Sequence, residues 1–124
     1  MFQIFLLLAA IAALLAVAMG AFGAHALRAA LTTEMMSVYQ TAVNYHMWHA
    51  LGLGLVAVVS LQDPQSLLLR WAGWLMCAGI VLFSGSLYAL SISGVKWLGA
   101  ITPFGGSAFL IAWLLLALFA FRLP

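Results

Sequence analysis

The chain has 124 residues, 68% of them apolar and 5% charged, with a net charge of +2. A single domain of this size cannot hide so much apolar surface from water, which excludes a soluble globule and places the chain in lipid. The small, dispersed charge excludes a nucleic-acid-binding surface, and the lone Cys77 excludes both an intramolecular disulfide and paired-thiol redox chemistry.

The first apolar run covers about Phe2 to Ala24. It is longer than the apolar core of a secretory leader and has no basic flank before it. It therefore reads as an uncleaved span, despite an A-x-A-like stretch at Ala24 to Ala26. Ala12, Ala16, Gly20 and Ala24 recur at every fourth position, a spacing that lets a second helix approach closely. Contact within the bundle is the expectation, with a dimerisation face as the alternative.

Thr32 or Thr33, followed by Glu34, reads as a helix start. The segment from there to Met47 is polar, with Ser37, Gln40, Thr41 and Asn44, and the apolar part of span two follows from Trp48 to Leu61. One helix over the whole stretch is longer than the hydrocarbon is thick, so its first half is expected to protrude or to lie in the interface as an amphipathic extension. Tyr39, Ala42, His46, His49 and Leu53 share one stripe, and Gln40 and Asn44 lie elsewhere.

"QDPQ" closes span two with a tight turn at Asp63 and Pro64. Span three covers about Trp71 to Leu90 and carries Gly73, Cys77, Gly85 and Ala89 on one stripe of small residues. Trp71 and Trp74 beside Arg70, and Trp97 beside Lys96, mark aromatic belts at the two faces of the membrane. "TPFGG" opens span four, with Thr102 as its expected N-cap and Pro103 in its first helical position. Trp113 falls mid-span, where its indole N–H needs an acceptor, and is expected to point into the bundle. The six charged residues, Arg28, Glu34, Asp63, Arg70, Lys96 and Arg122, fall between the runs or at their ends, as the cost of a buried charge requires. Arg28 and Lys96 share one side, Arg70 and Arg122 the other, so the positive-inside balance is even.

The fold class that follows is an all-α membrane protein: one domain over residues 1–124, four transmembrane helices, and an amphipathic extension before helix two. The motifs "GAFGAHAL", "YHMWHAL", "LFSGSLYAL" and "TPFGG" occur in this order along nearly the whole chain. With them the chain resembles the family called domain of unknown function 423, whose animal relatives are known as transmembrane protein 256. The matching positions are Gly20, Gly23, His25, Tyr45, His49, Ser84, Gly85, Ser86, Tyr88, Thr102, Pro103 and Gly105. The resemblance implies a small four-span protein of a bacterial inner membrane and no established activity. It implies nothing for a histidine at position 46.

The histidines are the chemistry-bearing residues. His46 and His49 stand three apart on one helix, and His25 ends span one at the same membrane face as His46. Structural imidazoles hydrogen-bonded to their neighbours are the expected reading, with His49 fixed against span one near His25. The alternative is an electron-transfer component in which His25 and His49 bind haem, a metal or a quinone. Tyr45 and Tyr88 stand near them as supporting hydrogen-bonders or interfacial aromatics. No catalytic residue is assigned: Ser84 and Ser86 have no acid to complete a nucleophilic triad, and "SGS" reads as close packing. The function that follows is a noncatalytic accessory, assembly or self-associating subunit without a cofactor, whose partners are the lipid bilayer and other membrane subunits or itself.

Overall fold

The computed structural model describes Met1–Pro124 in full. Helix α1 spans Phe2–Phe22 and runs on into a π-helical turn, Gly23–Leu27. Helix α2 spans Thr33–Val59. The third rod is built from α3, Leu67–Gly79, a π-helical segment, Ile80–Ser84, and α4, Gly85–Ser93. A 3-10 turn, Lys96–Ala100, leads into α5, Thr102–Phe121. The four rods have 26, 27, 27 and 26 residues and are each long and apolar enough to span a membrane. At about 1.5 Å per residue each is roughly 40 Å long, so tilt or headgroup overhang takes up the excess over ~30 Å of hydrocarbon.

Local chemistry sets the ends. The Thr32 hydroxyl caps α2 by accepting from the Met35 amide at 3.1 Å. The Asp63 carboxylate accepts from the Gln65 amide at 3.1 Å, which folds "QDPQ" into its turn, and Ser66 caps α3. Gly94 closes the third rod at φ 73°, a left-handed conformation that costs glycine little. At α5 the expectation needs correction. Ile101 holds the cap position with no side-chain bond, and Thr102 is already helical, which puts Pro103 one position further along. The Thr102 hydroxyl instead pairs with Ser86 at 2.6 Å and ties α5 to α4.

The rods pack in chain order: α1 along α2, α2 along the third rod, and the third rod along α5. The core is Phe5, Leu53, Val56, Leu69, Met76, Phe109 and Ala112 with their neighbours. Leu14, Val81 and Leu110 are 67%, 69% and 74% exposed and form the lipid-facing surface. All six charged residues are exposed at the rod ends or in the loops. The α1 stripe packs inside the bundle as far as Gly20, with Ala16 buried and Gly20 facing Val43; Ala24 stays outside, and Gly23 faces the Tyr39 ring in its place.

The polar half of α2 continues the same helix and is laid against α1, with Tyr39 only 1% exposed. One expectation is revised. The small-residue stripe of span three is broken at Ile80–Ser84. A π turn inserts one residue, which rotates everything after it by about 100°. Gly73 and Gly79 stay inside against Phe5 and Phe109, whereas Gly85 and Ala89 face outward and Ser84, Ser86 and Ser91 are buried in their place.

Candidate functional site

The buried stripe of α2 holds the polar residues at hydrocarbon depth. Tyr39, Ala42, His46, His49 and Leu53 are all at most 5% exposed, as their spacing predicts. Each polar group on it has to find a partner within the protein, because lipid supplies none. No buried side-chain nitrogen or oxygen lacks a hydrogen bond.

His46 turns toward the third rod. Its Nδ1 and the Tyr88 hydroxyl share a hydrogen bond of 2.9 Å. The Tyr88 ring packs on Tyr39, centroids 5.3 Å apart, and the Tyr39 hydroxyl donates to the Met19 carbonyl of α1. One turn away the Ser84 hydroxyl donates to the Ala42 carbonyl at 2.7 Å. Ser84 ends the π segment and is fully buried, and the shifted register then gives Ser86 the face that Gly85 holds in an unbroken helix. These bonds stitch α1, α2 and the third rod together, and they explain why "SGS" carries two buried serines around an exposed glycine.

His49 turns toward α5. Its ring lies flat on Phe109, centroids 3.4 Å apart and planes 10° apart, with the edge of Trp113 at 6.0 Å. Phe109 is seated by Gly79, where a Cβ has no room beside the ring. His49 Nδ1 lies 2.7 Å from the Tyr45 carbonyl oxygen one turn back. A carbonyl only accepts, so Nδ1 carries the proton and Nε2 is left with its lone pair. Nε2 has no protein partner, yet no buried atom is unpaired, so it reaches the small part of His49 that remains open. That part lines a recess of about 500 Å³ shared with Tyr45, Phe83, Gly106, Phe109 and Trp113.

The structure does not bring the three histidines together. His46 and His49 face different rods, and His25 is exposed in the π turn at the end of α1. Gly23 is level with Tyr39 across the α1–α2 seam, so His25 sits beside the start of α2. His49 lies ten residues beyond Tyr39, ~15 Å further along the helix. His49 is fixed by α5, not by span one near His25. Nowhere do three or more His, Cys, Asp or Glu side chains gather in a metal-binding cluster. Trp113 is also reassigned: it is 40% exposed at the bundle surface, with its ring over Gly52.

Sequence reading alone does not single out Phe83, Gly106 or Phe109. Gly105, Phe109 and Trp113 do recur at fourth positions on α5, which was the available signal.

A second polar feature lies on the other side of α2. Gln40 and Asn44 are exposed, one turn apart, and neither side-chain amide has a hydrogen-bond partner within the chain. They line a groove of about 450 Å³ between α1 and α2 whose wall includes Gly20, Gly23 and Ala24, with Arg28 at its mouth.

Comparison with known proteins places the chain among small bacterial membrane proteins. The profile of the family described as "Protein of unknown function (DUF423)" matches residues 19–106. The UPF0382 membrane protein YwdK of Bacillus subtilis is 50% identical over 120 residues, covering 97% of this chain and 98% of its own. The UPF0382 membrane protein SH2409 of Staphylococcus haemolyticus is 45% identical over 97% of each chain. No solved structure matches.

Proposed function

The chain belongs to the DUF423 family of small integral membrane proteins, and from that premise we propose that it is a noncatalytic membrane subunit that associates with a second copy of itself. The observation that carries this reading is the pair of unpartnered amides at Gln40 and Asn44. Asn44 is eleven residues from the start of α2, ~16 Å along the helix and thus inside the hydrocarbon. An amide facing lipid there forgoes its bonds to water, at a cost of about 1–3 kcal/mol. A side-chain amide both donates and accepts, so it pairs with its own copy.

A two-fold axis along the membrane normal sets each residue at the same depth as its symmetry mate. Asn44 then meets Asn44, and Gln40 meets Gln40. The small residues of α1 beside them leave space for the partner's helix, and interhelical amide bonds in lipid are worth up to ~1–2 kcal/mol each.

Native mass spectrometry of the protein released from lipid nanodiscs tests this. The wild type is expected as a dimer, and the Gln40→Leu/Asn44→Leu double variant as a folded monomer. A monomeric wild type, alone or bound to a different subunit, overturns self-association, as does a dimer that the double variant leaves intact.

A further inference from the structure

We propose that the recess at His49 binds the hydroxyl of a lipid-soluble hydroquinone and prefers it to the oxidised quinone. The recess runs along α5 from Pro103, in its first turn, to Trp113. It opens beside Leu110, which is 74% exposed to the bilayer, so a ligand enters from the lipid. At about 500 Å³ it has the size of a small-molecule site.

Three features of the lining define the ligand. The first is the unpartnered His49 Nε2, on a residue only 5% exposed. The Tyr45 carbonyl fixes the proton on Nδ1, so Nε2 offers a lone pair and no donor. It binds an O–H and faces a quinone carbonyl lone pair to lone pair. The second is the aromatic wall of Tyr45, Phe83, Phe109 and Trp113, which suits a flat ring. The third is charge: no lining residue is ionic, and the Ser107 hydroxyl is spent on the Pro103 carbonyl at 2.8 Å. An anionic headgroup finds no cation here, and a metal finds a single imidazole. A neutral aromatic alcohol with an apolar tail satisfies all three conditions.

The site is separate from the α1–α2 groove and does not depend on self-association. Its test is equilibrium binding to the protein in phosphatidylcholine nanodiscs. The probes are a short-chain prenyl hydroquinone, its quinone, and its dimethyl ether, which keeps the ring and loses both donors. The hydroquinone is expected to bind about tenfold tighter than either of the others, the worth of one net hydrogen bond. His49→Phe keeps the stacked ring, removes Nε2, and is expected to level the three affinities.

Gly106→Leu guards against misfolding of that variant. A Cβ on Gly106 meets only the edge of Phe83 at 3.7 Å, an ordinary contact, so the added side chain fills the recess and leaves the His49–Tyr45 bond alone. All three probes are expected to lose binding to it. Equal affinity of the three probes for the wild type overturns the proposal. So does a hydroquinone preference that survives His49→Phe, or binding that survives Gly106→Leu.

Discussion

Gly23 and Gly105 both give up a side chain to a neighbour, on two seams that are closed differently. On the α1–α2 seam Gly23 makes room for the ring of Tyr39, whose hydroxyl reaches over to Met19. On the seam between the third rod and α5, Gly105 makes room for the main chain of Phe83, its amide nitrogen and Cα, inside the π segment. A ring can tilt or slide when its socket shrinks. A main chain held by helical hydrogen bonds cannot. In lipid no exclusion from water pulls helices together, so closeness of approach carries much of the stability. The first seam is a side-chain fit with some give; the second is backbone against backbone with almost none.

The sharpest way to break that contrast is Gly105→Ala. Its new methyl overlaps the Phe83 backbone, and relief requires moving α5 away from the third rod. That shift also strains the Ser86–Thr102 bond and the seat of Phe109. The expected loss is about 3 kcal/mol or more, at the upper end for overpacking. Loss of helical circular dichroism on titration with sodium dodecyl sulfate measures it. A nearly harmless Gly105→Ala means that the two seams do not differ in kind.

Gly23→Ala comes next, with an expected loss of about 1–2 kcal/mol, because the obstacle is a ring. The same titration on a double-mutant cycle sharpens the point. Tyr39→Leu alone loses the ring and the bond to Met19, but beside Gly23→Ala it also removes the clash. The double variant is therefore expected to be less damaged than the sum of the singles, by roughly 1 kcal/mol. Strict additivity removes the socket from the account of this seam.

The two seams also differ in how far the sequence discloses them. The α1–α2 seam is written in a 3.6-residue period as far as Gly20. The spacing of Ala16 and Gly20 on one helix, and of Tyr39, Ala42 and His46 on the other, predicts the faces that meet, and only at the π turn does Gly23 take the inward place expected of Ala24. The four spans, the exposed charges and the Thr32 cap follow from composition and local chemistry in the same way. The third rod defeats this reading because nothing in "GIVLFSG" announces an inserted residue, and a periodic pattern carried across a π turn assigns the wrong face from there on. His49 is a related case. Its burial was legible from the α2 stripe, but its neighbour is chosen by the Gly79 notch that seats Phe109, a contact between distant rods that no local pattern encodes. Thr102 failed for a similar reason: an N-cap preference is local, and the hydroxyl found a better acceptor or donor in Ser86 on the adjacent helix.

The smallest expected effect tests the register shift itself. An unbroken period puts Gly85 on the packed stripe with Gly73, and alanine there should damage the fold much as it does beside a ring. In the π-shifted register a Cβ on Gly85 has nothing within 4 Å, and its surroundings are lipid. Gly85→Ala then adds no clash and removes some of the helix-forming penalty of glycine, which is up to ~1 kcal/mol. Unchanged stability, or a gain of roughly 0.5 kcal/mol, is the expectation in the same titration. Because Gly85 lies away from the Gln40–Asn44 groove, the dimer is also expected to be unaffected. A substantial loss of stability restores the unbroken stripe and removes the π turn as the reason for the buried serines. If Gly85→Ala leaves the monomer stable but dissociates the dimer, the small outward face of Gly85 and Ala89, rather than the amide pair, is where two copies meet.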